Sequence, residues 1–340
     1  MSLPDALRDQ ASHCKALGSP FMARLLLLLA DRLNPDAPLT QRLFSWRGDL
    51  SPHGDSVPLR LAGALHAHVL RAPDSELARA YPPHEVSNEK LWGAINQTLS
   101  AEAEFLDAFL NSPPQTNEVR RSAAALPAAL VVADHFGLPL TLSELGASAG
   151  LNLTFDRYAV QIGGQSYGAL DPALTLTPDW TGPPPPAVPL TVIDRRGVDL
   201  NPLTAPEDAQ RLRAYLWADQ PERRVLTNAA LALPRPQIDR ADAADWLEER
   251  LSQIHTGSTH FLFHTIAWQY FPDAVQARCE TAIQAAADHA TPDAPLAWFS
   301  MESDNGAGGE GAKLTLRLWP GALVLDLGRA DFHGRWINWS

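Results

Sequence analysis

Cysteine is scarce: the 340 residues contain two, Cys14 and Cys279. Two thiols cannot build a disulfide framework or a cysteine-only metal site. Long apolar runs are missing too. The strongest, Leu25-Leu26-Leu27-Leu28-Leu29-Ala30, is flanked by Arg24 and Arg32. It falls far short of the roughly 20 residues that a membrane span needs. No small-residue cleavage pattern follows it, so a buried helix is expected and not a signal peptide. Basic residues are the minority, 27 Lys and Arg against 39 Asp and Glu, for a net charge of −12. Such a chain is poorly suited to coating a nucleic-acid backbone or an anionic membrane. No His-rich or carboxylate cluster has metal-ligand spacing, and no internal repeat is visible. These absences lead to the expectation of a soluble, cytoplasmic protein with a small-molecule substrate and no nucleic-acid, membrane or metal partner. They leave a homo-oligomer open.

What is present is ample apolar material. Hydrophobic residues are 45% of the chain and charged residues 19%, enough to bury a core and to exclude wholesale disorder. The length suits two domains. The first third reads as helical. Leu3, Leu7, Ala11 and Cys14 recur at helical spacing, Ser19-Pro20 opens a second helix, and 57–71 and 88–110 continue the series. Pro35, Pro38, Pro82-Pro83 and Pro113-Pro114 punctuate it. Residues 117–136 form a further expected helix, closed by Gly137.

The first convincing strand is 138–145. Strands are then expected at 158–163, 188–198, 259–266, 294–301, 313–319 and 322–327, with helices at 206–217, 221–233, 241–254 and 273–289. Alternation of this kind predicts an α/β fold, a mostly parallel sheet with helices on both faces. The last two strands, around Trp319-Pro320-Gly321, read as an antiparallel edge hairpin. The expected division is an all-α domain over 1–114, capping the substrate site, and a sheet domain over 115–340 with an inserted hairpin near 158–186.

The sharpest local feature is Glu144-Leu145-Gly146-Ala147-Ser148-Ala149-Gly150-Leu151-Asn152, a strand end, a turn of small residues and then an expected helix. Small residues let backbone approach a ligand closely, and a helix start offers unpaired N–H groups. Three readings compete. Glu144-x-Gly146-x-x-x-Gly150 resembles motif I of the Rossmann-like S-adenosylmethionine methyltransferases. That resemblance implies that Gly146, Ser148, Gly150 and Asn152 border the cofactor and that Glu144 holds its amino group. Gly146-x-Ser148-x-Gly150 also matches a nucleophile elbow, with Ser148 attacking an acyl group and Asp304 and His333 later in the chain to complete a triad. Against this, several strands would have to precede the elbow, and none is expected here. The third reading is a tight turn with no ligand.

Later segments tilt toward the first reading. Asp199 ends a strand resembling the second methyltransferase strand, where a carboxylate takes the ribose hydroxyls; capping of the next helix is its bland alternative. Asp242 and Ala243 resemble the acid and small residue near the adenine amine, although Asp242 also suits an N-cap. His264 is a candidate general base and equally a hydrogen-bonded core histidine; Tyr270 is a weaker catalytic candidate. Asp199 follows Gly150 by 49 residues, whereas a simple strand-helix-strand unit needs about 20. Asp156 is therefore an alternative polar contact.

Taken together, Gly18-Ser19-Pro20, Gln115-Thr116-Asn117-Glu118-Val119-Arg120-Arg121, Gly146 to Leu153 with Asp156-Arg157-Tyr158, Arg196-Gly197-Val198-Asp199, Trp217-Ala218-Asp219-Gln220 with Arg223, Phe263-His264 with Gln269-Tyr270, and His333-Gly334 with Trp336 resemble a bacterial family catalogued as domain of unknown function 2332. The resemblance spans nearly the whole chain and implies no activity. Within it, Asn117, Glu118 and Arg121 are expected to line the pocket mouth and bind an anionic group of the substrate.

Overall fold

The structure is a computed structural model that describes residues 1–52, 54–206 and 208–340. The chain opens with α1 (Leu3–Ala16), α2 (Pro20–Arg32), α3 (Pro38–Phe44), α4 (Val57–Arg71), α5 (Asn88–Ala101) and α6 (Ala103–Leu110). There follow α7 (Ser122–Phe136), β1 (Leu140–Leu145), β2 (Tyr158–Ile162), β3 (Gln165–Gly168), β4 (Leu174–Leu176) and β5 (Asp179–Thr181). Then come β6 (Val192–Asp199), α8 (Asp208–Ala214), α9 (Pro221–Leu231), β7 (Gln237–Arg240), α10 (Ala243–Leu251) and β8 (Thr259–Thr265). The chain ends with α11 (Asp273–Asp288), β9 (Leu296–Glu302), β10 (Ala312–Trp319), β11 (Leu323–Ala330) and β12 (Trp336–Trp339). No strand precedes β1 among the described residues.

Two compact units result, one of residues 1–116 with 205–225 and the other of residues 117–204 with 226–340. The 205–225 segment, expected in the sheet domain, thus joins the helical unit. Position 207 of the expected 206–217 helix lies outside the described residues.

In the helical unit, Ser2 and Asp5 cap the start of α1 reciprocally, and Ser19 with Pro20 starts α2. The leucine run lies inside α2: Leu25, Leu26 and Leu29 are fully buried while Leu27 is exposed, the one-sided burial of a helix that packs on its neighbours. Asp219 returns from the distant segment to accept hydrogen bonds from Ser19 Oγ (2.5 Å) and the Phe21 N–H (2.9 Å). Gln220 Nε2 donates to the carbonyls of Leu17 and Gly18, and Arg223 donates to Gln220 Oε1. Two of the motif blocks therefore meet as a structural clamp on the turn between α1 and α2. The expected 88–110 helix is two, α5 and α6.

The second unit is built on a nine-stranded sheet in the order β5-β12-β11-β10-β9-β8-β1-β6-β7. From β7 to β9 the neighbours are parallel; β9, β10, β11 and β12 run antiparallel to one another, and β5 pairs parallel with β12. β2, β3 and β4 form a separate three-stranded sheet in the expected insertion. Helices cover both faces. Leu145, Val198 and Leu262 pack under α10 and α11. On the other face α7 lies across β8 to β10, beside a stack of Phe155, Phe261, Phe263 and Phe299. α7 stops at Gly137, which takes the left-handed conformation expected of a C-terminal cap. The residues before α7 form a 3-10 turn, Val119–Arg121, so the expected 117–136 helix starts later.

No helix among the described residues is long and apolar enough to cross a membrane. Both cysteines are buried free thiols, pushed up to about 11 (Cys14) and about 12 (Cys279) mainly by burial.

Two histidines make each unit acid-sensitive. Burial holds His66 down to about 4 and His260 down to about 3, while the unfolded value lies near 6.5. Below 6.5 the unfolded chain binds protons that the folded chain refuses, so stability falls with falling pH at up to about 1.4 kcal/mol per pH unit for each group. Urea denaturation at pH 7.5 and 5.5 should show this loss, and His66→Gln should reduce the slope.

Candidate functional site

β1 is the strand at which the order of connections reverses. Its next parallel neighbour in sequence, β6, lies on one side, and β8 lies on the other. Ligands of open α/β sheets bind beyond the carboxyl ends of the strands at such a switch point. Glu144 stands there, near the end of β1 and only 2% exposed. Its Oε2 has no hydrogen-bond partner among the described residues. Burial pushes its carboxyl well above the usual range; the Asp199 carboxylate adds to the rise and the Arg121 guanidinium opposes it.

The turn that follows is tight, but no α-helix comes after it. Asn152–Arg157 is a kinked 3-10 segment that leads straight into β2. Four N–H groups of the turn are bonded internally: Ala147 to the Val198 carbonyl, Ser148 to Asp199 Oδ2 (2.9 Å), Gly150 to the Ala147 carbonyl and Leu151 to Asn117 Oδ1 (2.8 Å). The expected helix start is therefore absent, and internal bonds take up these four N–H groups. Gly146 and Gly150 have φ of +68° and +71°, and a Cβ on them would lie 2.6 Å from Ala267 and from Pro236. Conformation and packing account for both glycines.

Three side-chain atoms of this neighbourhood remain buried without a hydrogen-bond partner among the described residues: Glu144 Oε2, Ser148 Oγ and Asn152 Nδ2. Asn152 is held by Ser122, whose hydroxyl donates to its Oδ1 (2.7 Å). Ser148 has a φ of +53°, sparsely populated for a residue with a side chain. Ile266, just past the end of β8, has a φ of +51°, a stronger outlier because it is β-branched.

Other expected site residues are engaged elsewhere. Asp199 accepts from the N–H groups of Ser148 and Asn201, so its carboxylate ties the two loops together and is not presented to a ribose. Asp242 caps α10, accepting from the N–H groups of Ala244 and Asp245, and Ala243 is the first residue of that helix. Asp156 is held by both terminal nitrogens of Arg195 (2.5 and 2.9 Å). His264 is 1% exposed. Its Nε2 accepts from Trp298 Nε1 (3.0 Å), which leaves Nδ1 to donate to Glu302 Oε1 (2.8 Å). Trp268 stacks on the ring. This is the core histidine of the bland alternative, closed to a substrate. Tyr270 lies on a short 3-10 turn, 60% exposed.

Asn117 and Glu118 are buried ties and not a pocket mouth. Asn117 holds the Leu151 N–H, and Glu118 accepts from the N–H and Nε of Arg120. Arg121 donates from Nε to the Phe332 carbonyl and from Nη1 to the Thr265 carbonyl (both 3.0 Å). Asp304 forms a bidentate pair with Arg329 (2.8 and 2.9 Å) and accepts from N–H groups of its own glycine loop.

A second polar cluster, on the opposite face of β1, was not foreseen. Ser143, buried on β1, lies 2.8 Å from His260 Nε2 and accepts from Arg250 Nε (3.1 Å); Arg250 also binds Asp194 (2.5 Å). Two hydroxyl residues, Thr141 and Ser143, alternating inside an apolar strand were the available signal. Among the described residues no group of three or more His, Cys, Asp or Glu is arranged to hold a metal ion.

This strand order defines a mixed α/β protein, a large mostly parallel sheet with an antiparallel edge and a helical N-terminal region. The family described as "Uncharacterized protein conserved in bacteria (DUF2332)" matches residues 4–339, and the chain belongs to it. No curated protein matches the chain.

Two variants separate strain from support at this edge. Glu144→Gln should stabilise the fold at pH 8. The raised carboxyl favours the folded state only while protonated, so stability is lost as pH rises from 4.5 through the folded pKa. The gain in Tm should vanish near pH 4.5. Arg121→Ala should cost about 2–3 kcal/mol in urea denaturation, the scale for charge-assisted bonds to carbonyls.

Proposed function

We propose that the chain is an S-adenosylmethionine-dependent methyltransferase acting on a small molecule or a peptide group. The observation that carries this reading is Glu144: a buried carboxyl whose Oε2 has no hydrogen-bond partner among the described residues, at the switch point and just before the Gly146 to Gly150 turn. A buried carboxylate is costly unless a cation meets it, and a primary ammonium is the ligand group that would do so.

The donor set fits the amino-acid end of the cofactor. Glu144 would accept from the ammonium; Ser148 Oγ and Asn152 Nδ2, both unpartnered donors, would hold the carboxylate. Asp199 and Asp242 have no part in this set, because backbone N–H groups occupy them. When bound, the cofactor supplies an electrophilic methyl group on a sulfonium. The chain contributes placement of the acceptor and exclusion of water, and no general base is assigned. Ser148 favours a second reading through its strained φ and a hydroxyl without a hydrogen-bond partner among the described residues, the backbone conformation of an acyl-enzyme nucleophile.

Calorimetric titration with S-adenosylmethionine and S-adenosylhomocysteine, beside a fluorophosphonate reaction, tests both. The expected result is binding of both ligands, at least tenfold weaker in Glu144→Gln, with no labelling. Labelling at Ser148 without binding would replace the methyltransferase by an acyl transferase or hydrolase. Neither signal would overturn both readings.

A further inference from the structure

A cleft of about 340 Å³ opens at the amino edge of the sheet, the edge opposite Glu144. It lies where α10 and α11 end and β8 and β9 begin. Its walls are Leu251, Ile254, Ala282, Ala286, Ala290 and Leu296. The row of alanines on α11 makes one wall smooth and apolar, as in small-molecule pockets of this size.

One end of the cleft is polar. His255 and His260 both line it, with ring centroids 5.4 Å apart, edge to face. Ser143 accepts from Arg250, and the remaining partner for its hydroxyl proton is His260 Nε2. His260 is therefore the tautomer with its proton on Nδ1, and this N–H has no acceptor among the described residues. His255 Nε2 is buried and likewise lacks a partner. Burial first and the Arg250 charge second hold both rings below the ordinary imidazole value. The two rings thus present one donor and one unpaired nitrogen to a shared space.

The surroundings select against a charged occupant of either sign. A cation would be opposed by the Arg250 guanidinium, which lies outside the lining but whose charge acts on both His255 and His260. An anion would meet Glu248 and the carbonyl-bearing ends of α10 and α11, where helix dipoles are negative. A hydroxyl group accepts one hydrogen bond and donates another without charge. We propose that this cleft is a binding site for an uncharged, hydroxyl-bearing apolar molecule, a small phenol or alcohol, with its hydroxyl between His255 and His260 and its body along the alanine wall of α11.

The test uses the full chain with 13C-labelled histidines and phenol as the probe. Phenol should shift the imidazole signals of His255 and His260 saturably, while benzoate and benzylammonium at equal concentration shift neither. Ala286→Phe, which fills the cleft, should abolish the phenol shifts and keep the circular dichroism spectrum. Should that variant fail to fold, His255→Ala should weaken phenol at least tenfold. The proposal is overturned if phenol shifts neither ring, if a charged analogue matches it, or if the shifts survive in Ala286→Phe or the affinity in His255→Ala.

Discussion

β1 is buried at all six positions yet carries three polar side chains, Thr141, Ser143 and Glu144. Each must find a partner inside the protein or bear the cost of going without. The pleat sends Thr141 and Ser143 to the α10 face and Glu144 to the face of α7. On the first face the demand is met completely: Thr141 reaches Ser258, and Ser143 gathers His260 and Arg250, with Asp194 behind. On the second it is not met, and Glu144 keeps a bare oxygen. The contrast between two faces of one strand gives the carboxyl edge its chemical interest.

Much of the architecture could be read from residue patterns. The helical first third, the first strand near residue 138, the parallel sheet and the terminal hairpin follow from periodicity and from Pro and Gly punctuation. The hairpin is extended by β12 and β5, whose short, mixed segments carry little pattern of their own. The return of residues 205–225 to the helical unit was hidden for a different reason. Nothing local in Trp217-Ala218-Asp219-Gln220 states that its carboxylate will cap a helix that begins at Pro20.

The site was legible as a location more than as a set of contacts. Glu144, Gly146 and Ser148 lie at the carboxyl end of β1, a location that an acid-glycine turn after a strand announces as a local pattern. Asp199, Asp242, Asn117 and Arg121 all bond backbone groups of the chain itself. A short acid or amide next to a loop can bind a ligand or bond a backbone N–H, and both uses leave the same letters in the sequence. His264 shows the same ambiguity, resolved by Trp298 and Glu302 from the adjacent strand. The cluster of Ser143, His260 and Arg250 joins three elements far apart in the chain, so no spacing rule could announce it.

The clamp on the first helical turn has a kinetic side. Ser19 and Asp219 are separated by 200 positions. During synthesis the opening helices emerge long before the carboxylate that finishes them, and β1 to β6 are made in the interval. The helical unit is thus sealed late, by a segment delivered after much of the other unit's chain has left the ribosome.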